Sequence, residues 1–502
     1  MRFTRFEKAG EESIVITPSL EEVQKVRDSG KYTCMPVSRE IFSDFVTPIT
    51  ALRKLKHVSR HVYLLESAFH QEIWGRYTFL GYEPKLQISC RSGHMRVGEL
   101  TFETKDPGAY IGKILRQYRS PRVPDLPPFT GGLVGYFSYD YMKYAEPTLR
   151  LDAQDTENFN DVDLMLFDKV ICFDNFRQKI YLIANVRLNE AETGYNRAER
   201  SIDEMERLLR EGEEGTEERG VLHSEIRPLF TKERYCGMVE KAKNYIREGD
   251  IFQIVLSNRL EAEFSGSLLD TYRVLRTVNP SPYMFYFSGT DVEVAGASPE
   301  TLVKLEDGVL HTFPLAGTRP RGKTQEEDER LEKELLADPK ELAEHNMLVD
   351  LGRNDLGKVS QFGTVKVERY HEIQRYSHVM HIGSTVRGVI RPEFDALDVI
   401  NAVLPAGTLS GAPKLRACQR INDLEDNKRG IYGGAVGYID FSGNADTCIA
   451  IRLAYKKNGK VFVRSGAGIV ADSVPENEWN ECMNKARAVV MALRDAGDAS
   501  VD

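Results

Sequence analysis

The sequence predicts an α+β fold built on large antiparallel sheets, on three observations. Short runs rich in β-branched and aromatic residues, bounded by Gly, Pro or Asp, recur through the first half: Val62-Tyr63-Leu64-Leu65-Glu66, Tyr77-Thr78-Phe79-Leu80-Gly81, Leu133-Val134-Gly135-Tyr136-Phe137 and Lys169-Val170-Ile171-Cys172-Phe173. These runs do not alternate regularly with helices, which argues against a doubly wound parallel sheet. The chain has 502 residues, more than one ordinary core accommodates, so two regions or one unusually large fold are expected.

Taken in order, the strand-like run 181–186 leads into an amphipathic, charged stretch from Glu190 to Arg210. Residues 211–220 (Glu-Gly-Glu-Glu-Gly-Thr-Glu-Glu-Arg-Gly) follow. They read as a solvated helix end and linker, too polar to pack. The main boundary is placed there, dividing the chain into 1–220 and 221–502. Beyond it come a helix over 232–248, a strand at 251–256, further strands and three clear helices. Gly131-Gly132-Leu133-Val134-Gly135-Tyr136 echoes Gly433-Gly434-Ala435-Val436-Gly437-Tyr438. Closely approaching backbones explain both, and six residues do not establish a duplication.

Composition narrows the function. At 41% hydrophobic and 28% charged the chain is ordinary globular material. A net charge of −9 argues against nucleic-acid and membrane-surface partners, which need a basic face. No apolar run is long enough to span a bilayer, and the first residues lack the apolar core of a secretory signal. Seven widely spaced cysteines, an odd count with no C-x-x-C, suggest reduced thiols and a cytoplasmic location.

Two Glu-x-x-Glu pairs carry the first chemical signal. Asp338 and Pro339 open a helix, with Glu341 at the capping-box position and Glu344 one turn further in. Ser473 and Pro475 open a second, with Glu478 and Glu481 on one face. Spacing alone favours solvated acidic helix starts, with Glu481 pairing Lys485. Two carboxylate-only sites are nonetheless what Mg²⁺ prefers. Gly317 to Thr324 matches the phosphate-loop spacing G-x-x-x-x-G-K-[ST]. Pro320 lacks an N–H, however, Arg319 and Arg321 are bulky, and four acids follow at 326–329. A nucleotide-binding loop is therefore the remote alternative. Glycine-rich turns at 431–434 and 464–469 offer bare backbone amides. Arg452 interrupts an apolar strand, as an edge residue or a carboxylate clamp. His381, in apolar surroundings, is a core residue or a proton carrier.

Together, residues 314–321, 338–356, 376–381, 405–414, 432–438, 446–452 and 466–487 resemble the chorismate-binding family, over nearly all of 232–493. The amino-terminal half resembles that family's matching region more loosely. The resemblance implies antiparallel sheets packed as a sandwich with flanking helices. It also implies an active site in which Glu300 and His381 carry protons and the Thr408 hydroxyl lies near the reacting ring. Gly317 and Thr318 would line the ring pocket, while Tyr432 and Arg452 hold the enolpyruvyl carboxylate. Gly466, Ala467 and Gly468 would donate backbone hydrogen bonds. Glu344 and Glu481 would bind Mg²⁺ directly, with Glu341 and Glu478 outside them or acting through water. Relatives that attack the ring with an enzyme amine, or activate water on it, usually carry Lys where this chain has Ala316. Ala316 can do neither, so the resemblance is to the anthranilate-forming branch, with chorismate and ammonia as substrates. An aminodeoxychorismate-type or other chorismate conversion is the alternative. No Gly-x-Cys-x-Gly turn is present, so the ammonia is expected from a separate glutamine amidotransferase subunit. Leu65, Glu66 and Ser67, with Asn279, Pro282, Tyr283 and Met284, are similar to the family's tryptophan-binding motifs, which carry feedback inhibition.

Overall fold

The computed structural model describes residues 15–67, 75–375 and 379–497. The N-terminal residues read for a secretory signal, and residues 376–378 of the family-like segment 376–381, lie outside these. The amino-terminal half runs β1 (Cys34–Phe42), α1 (Pro48–Val58), β2 (Val62–Glu66), β3 (Tyr77–Tyr82), β4 (Leu86–Arg91), β5 (His94–Val97) and β6 (Leu100–Glu103). It continues through α2 (Pro107–Arg116), β7 (Gly132–Phe137), β8 (Val162–Phe167), β9 (Lys169–Asp174), β10 (Lys179–Arg187) and α3 (Ala191–Glu211). After α4 (Lys232–Arg247) come β11 (Gln253–Ser265), α5 (Leu269–Val278), β12 (Tyr283–Ser288), β13 (Glu293–Ser298), β14 (Thr301–Glu306) and β15 (Val309–Thr312). Then follow β16 (Leu315–Pro320), α6 (Gln325–Ala337), α7 (Pro339–Gly357), β17 (Lys366–Arg375), β18 (Val379–Val389), α8 (Ala396–Val403) and α9 (Lys414–Glu425). The chain closes with β19 (Ala435–Asp440), β20 (Ala445–Ile449), β21 (Leu453–Lys457), β22 (Lys460–Ile469) and α10 (Pro475–Gly497).

These strands form two large antiparallel sheets. The first has the order β1-β10-β9-β3-β2-β12-β13-β21-β22-β11, and the second β16-β18-β15-β14-β20-β19-β7-β8-β4-β5-β6 with β17 beside β18. They pack face to face. Tyr63, Val170 and Phe285 of the first sheet share one core with Val134, Met165 and Val436 of the second. Helices α1, α3, α5 and α10 cover the outer face of the first sheet, and α2, α7 and α8 that of the second. This is the expected α+β sandwich. Each sheet crosses the boundary at residue 220: β2 pairs with β12, and β7 with β19. The acidic segment after α3 was expected to be solvated, yet it packs against α1. Glu214 pairs with Arg53 at 3.4 Å and Glu217 with Lys56 at 2.8 Å, so basic groups on α1 offset its polarity.

The two halves repeat one element order. Residues 34–211 run β1-α1-β2-β3-β4-β5-β6-α2-β7-β8-β9-β10-α3. Residues 253–497 run β11-α5-β12-β13-β14-β15-β18-α8-β19-β20-β21-β22-α10, with β16-α6-α7-β17 inserted before β18 and α9 after α8. Side chains repeat as well. Gly81 lies opposite Tyr63 and Gly296 opposite Phe285, and in each case a Cβ would run into the aromatic ring, at 2.2 and 2.3 Å. Gly135 and Gly437 face each other in the β7–β19 ladder, flanked by Val134 opposite Tyr438 and Tyr136 opposite Val436. A half-turn maps that pairing onto itself, so the glycine-rich echo marks the axis relating the two halves. At Gly135 a Cβ would sit 2.1 Å from the Asp163 carbonyl oxygen, with φ at +152°. Gly135→Ala is expected to cost about 1–3 kcal/mol through that clash. A lower urea midpoint at unchanged slope would show it, and an unaltered midpoint would mean the backbones do not meet there.

Candidate active site

The cleft opens in the second half, where several segments converge. Glu300 sits in the turn between β13 and β14. Its carbonyl accepts from the Ile449 N–H at 2.9 Å, and Thr408 Oγ1 donates to its Oε1 at 3.1 Å. Burial pushes its carboxyl up to about 7, against the opposing effects of the Thr408 bond, Lys485 and Arg452. Thr408 reaches it from the 3₁₀ turn Gly407–Leu409.

His381 lies on β18, across from a slip in the register of β16 between Ala316 and Arg319. The slip places Gly317 at φ +67° and turns its carbonyl to His381 Nδ1, 2.8 Å away. A carbonyl only accepts, so Nδ1 carries the proton and Nε2 is the basic atom. Thr318 Oγ1 lies 3.1 Å from the same nitrogen. Burial lowers the imidazole pKa, the Gly317 carbonyl opposes this and Arg452 reinforces it, leaving a neutral ring at pH 7. Glycine is required at 317: a Cβ there would meet Leu335 Cδ1 at 3.0 Å and Glu341 Oε2 at 3.1 Å.

Arg452 was expected to interrupt an apolar strand. It instead occupies the link from β20 in the second sheet to β21 in the first, at φ +53°, and its carbonyl accepts from the Ala297 N–H at 3.0 Å. A left-handed non-glycine residue is held there because the chain must change sheets in a few residues. Its charge reaches both Glu300 and His381.

Gly466, Ala467 and Gly468 were expected in a turn, but they lie within β22. The Val255 N–H donates to the Ser410 carbonyl and the Ser257 N–H to Glu425. The pairs Val255–Gly468 and Ser257–Gly466 are therefore of the non-hydrogen-bonded type, and the Gly466 and Gly468 amides turn to the opposite edge. That edge is not covered by β21, whose pairing with β22 ends at Val463. Ala467 falls in the alternate register, facing β11. Tyr432 is buried beside them, with its hydroxyl 3.1 Å from where a Gly466 Cβ would lie.

The acidic helix starts face each other across the mouth. Asp338 caps α7 by accepting from the Lys340 and Glu341 N–H groups. Glu341 takes no part in a capping box, contrary to expectation, because Arg319 on β16 draws its carboxylate to 3.4 Å. Burial and the charges of Glu341 and Glu481 push the Glu344 carboxyl up, while Lys340 and Lys485 oppose them. Burial and Glu481 raise Glu478 in the same way. Glu481 pairs with Lys485 at 2.7 Å. Arg452, Asn477, Asn480, Asn484 and Lys485 line the open part of the cleft. Pro314, Leu348, Leu351 and Ala406 line an apolar recess behind Glu300 and Thr408.

The phosphate-loop reading fails on geometry. Gly317 to Pro320 belongs to β16, and Thr324 caps α6. The Gly322 and Lys323 amides are taken by Asp328 at 2.8 Å and Glu327 at 2.8 Å, so none of these is left to cradle a phosphate.

A separate cavity of about 140 Å³ lies near the axis between the halves. Leu65, Glu66, Ser67, Pro282, Tyr283 and Met284 line it, together with Tyr438 and Asp446. Asn279 stands outside that lining, at the end of α5. Tyr283 donates to Asp446 at 2.8 Å and lies 3.0 Å from the Thr301 hydroxyl, next in sequence to Glu300.

Three groups of comparisons place this geometry. A family model described as chorismate binding enzyme matches residues 61–491. The chain belongs to the chorismate-binding enzyme family. "Anthranilate synthase component 1" of Aquifex aeolicus (strain VF5) is 46% identical over 494 residues, covering 96% of this chain and 98% of that protein. The protein of that name from Acetivibrio thermocellus is 43% identical, covering 96% and 99%. The crystal structure of anthranilate synthase component I from Streptococcus pneumoniae TIGR4 superposes with a TM-score of 0.75 at 36% identity, covering 90% of this chain and 99% of that one. The menaquinone-specific isochorismate synthase of Escherichia coli, at 20% identity and a TM-score of 0.68, covers 95% and 99% and shares the fold.

The carboxylates of this chorismate-binding enzyme fit a divalent cation in a limited sense. Among the described residues no three His, Cys, Asp or Glu side chains gather as a metal cage. The Glu344, Glu478 and Glu481 charges nevertheless oppose one another across the mouth, a cost that a cation between the helices removes. Mg²⁺ is commonly held by one or two carboxylates plus substrate and water, which suits this donor set.

Sequence reasoning missed what holds the cleft together. Glu425, at the end of α9, is buried between Arg429 and Arg464. It accepts from Arg429 Nε at 3.0 Å, Arg464 Nη2 at 2.9 Å and the Ser257 N–H at 2.8 Å. Lys414 is buried against Asp355 at 2.6 Å behind the Thr408 turn. The one available signal was Arg464 directly after the apolar run Val461-Phe462-Val463. Glu425→Leu leaves two buried guanidinium groups uncompensated and is expected to cost about 3–5 kcal/mol in urea unfolding. A loss below about 1 kcal/mol would mean the arginines have other partners.

Proposed function

We propose that this chain converts chorismate and ammonia to anthranilate and pyruvate in tryptophan biosynthesis, as the large subunit of an anthranilate synthase. One observation carries the reading: a carboxylic acid poised near neutrality, Glu300, shares a cleft with a neutral His381, on a strand whose neighbouring Ala316 offers no nucleophile. The reaction needs proton carriers and an incoming amine, and the side chain at 316 supplies no amine. The name borne by relatives that match nearly the whole chain supports the same activity.

Glu300, protonated below about pH 7, delivers a proton to the leaving ring hydroxyl, with Thr408 orienting the carboxyl. Nε2 of His381 takes the proton released as the ring becomes aromatic and pyruvate leaves. Arg452 and Tyr432 hold the enolpyruvyl carboxylate, and Gly317 and Thr318 shape the ring pocket. The Gly466 and Gly468 amides donate to a carboxylate. Mg²⁺, held by Glu344 and Glu481 with Glu341 and Glu478 outside them, would supply charge neutralisation for the ring carboxylate. Ammonia comes from a glutamine amidotransferase subunit, the anthranilate synthase component II partner, and the location is cytoplasmic. The cavity lined by Leu65, Glu66, Ser67, Pro282, Tyr283 and Met284 is the tryptophan site. The Tyr283–Thr301 contact gives bound tryptophan a direct route to Glu300.

Glu300→Gln is expected to lower ammonia-dependent anthranilate formation about 10²- to 10⁴-fold, read by product fluorescence. In the unaltered chain, kcat/KM should fall as pH rises through about 7, because the acid form of Glu300 is lost. A flat alkaline limb would remove Glu300 from the acid role. Glu344→Gln and Glu481→Gln should each weaken Mg²⁺ activation far more than Glu341→Gln, whose carboxylate is already engaged by Arg319. Equal losses would break that division. The chain alone should use ammonium but not glutamine; glutamine use without a partner would rule out a separate glutaminase.

A further inference from the structure

The half-turn that relates the two halves gives the active site a counterpart in the first half. Strand pairing establishes the equivalence residue by residue. With Gly135 matched to Gly437, their partners Leu164 and Thr447 correspond, and counting onward places Lys169 at the position of Arg452. The β9–β10 and β21–β22 ladders then match Leu182 with Val463, so Asn185 stands where Gly466 does and Arg187 where Gly468 does. Pro84 and Lys85 follow Gly81 as Pro299 and Glu300 follow Gly296. The buried faces of α3 (Ala198, Ile202, Met205, Leu209) and α10 (Cys482, Ala486, Val489, Leu493) have the same spacing, which puts Arg197 at the position of Glu481.

These counterparts line one open cleft of about 940 Å³. The catalytic half turns acids and bare glycine amides into its cleft. Here Glu300 is replaced by Lys85, Glu481 by Arg197 and the Gly468 amide by a guanidinium, Arg187. Arg27 and Lys169 complete five basic side chains, against Asp168 and Glu190, on a chain of net charge −9. Four of the five bases already meet carboxylates: Lys85 meets Asp168 at 2.9 Å, Lys169 meets Glu83 at 3.0 Å, Arg27 meets Asp28 at 2.8 Å and Arg197 meets Glu190. Arg187 is the base left over, and the other pairs are partly exposed, so they are weak and open to exchange with an incoming anion. Arg187 stacks over Tyr118 at 3.6 Å from the ring centre and donates from Nη1 to the Gln117 carbonyl, which orients its planar fork and leaves its other N–H groups to the cleft. The insertion β16–β17, which brings Glu341 and Glu344 to the catalytic cleft, has no equivalent in this half.

We propose that this cleft is a second binding site for a small anion carrying carboxylate or phosphate groups, independent of any metal. Guanidinium forks supply directly the charge that a cation supplies in the other half. The inference rests on the duplication and the charge inversion, and it stands whether or not the first half's partner is anthranilate-forming.

The test uses the full chain in EDTA, titrated calorimetrically with inorganic phosphate and, separately, malonate. Saturation near one equivalent per chain with either probe is expected, and the preferred probe identifies phosphate or dicarboxylate chemistry. Arg187→Ala with Arg197→Ala should weaken it at least tenfold. Arg452→Ala with Glu481→Gln, altering the other cleft, should not, nor should Arg207→Glu, an exposed change elsewhere on α3. Arg197→Ser alone, checked by retained chorismate turnover, guards against loss through misfolding and should still weaken binding several-fold. No saturation with either probe, or saturation unmoved by the Arg187 and Arg197 changes, overturns the proposal.

Discussion

A single buried carboxylate, Glu425, sets the geometry on which the cleft depends. Two arginines and a backbone amide converge on it in a core region where an unpaired charge would be very costly. Arg429 also donates to the Leu409 carbonyl at 2.6 Å and the Val255 carbonyl at 2.7 Å, and Arg464 to Ser257 Oγ at 2.8 Å. The network thereby ties the end of α9 to β11, to β22 two residues before Gly466, and to the turn that carries Thr408. The open-edge amides of Gly466 and Gly468 and the hydroxyl that orients Glu300 are held in common register by one charge cluster.

Around that cluster the fold is a duplicated sandwich whose halves have diverged in charge. One half acquired an insertion, β16 to β17, that delivers a bulged strand, an acidic helix and the Gly317 carbonyl which sets the His381 tautomer. The same backbone, without the insertion and with basic residues at the matching points, forms the cleft beneath α3. The ladders β2–β12 and β7–β19 join the two halves at the axis, and the cavity lined by residues from both halves opens there.

Much of the candidate site was legible as residue types. Glu300, His381, Arg452 and the two glutamate pairs are chemically conspicuous, and the family resemblance named them together. What could not be read was local setting. Glu341 looked like a capping residue until Arg319 drew it away, Gly466 to Gly468 looked like a turn until their edge of β22 was seen to be open, and Arg452 looked like a charge in a strand. Each depends on a neighbour distant in the chain, and spacing along a sequence carries no information about such neighbours.

By itself, the sequence determined the fold class, through alternating apolar runs broken by turn residues, and the kind of chemistry, through which functional groups it contains. It also carried, in six glycine-rich residues repeated once, the trace of a duplication too short to prove. Tertiary structure alone decided that this echo lies on a half-turn axis, that burial brings Glu300 to about 7, and that Glu425 is interior. The physical reason is common to all three. Pairing, desolvation and charge compensation are set by which groups meet across the sheets, and those meetings exist only once the chain has closed on itself.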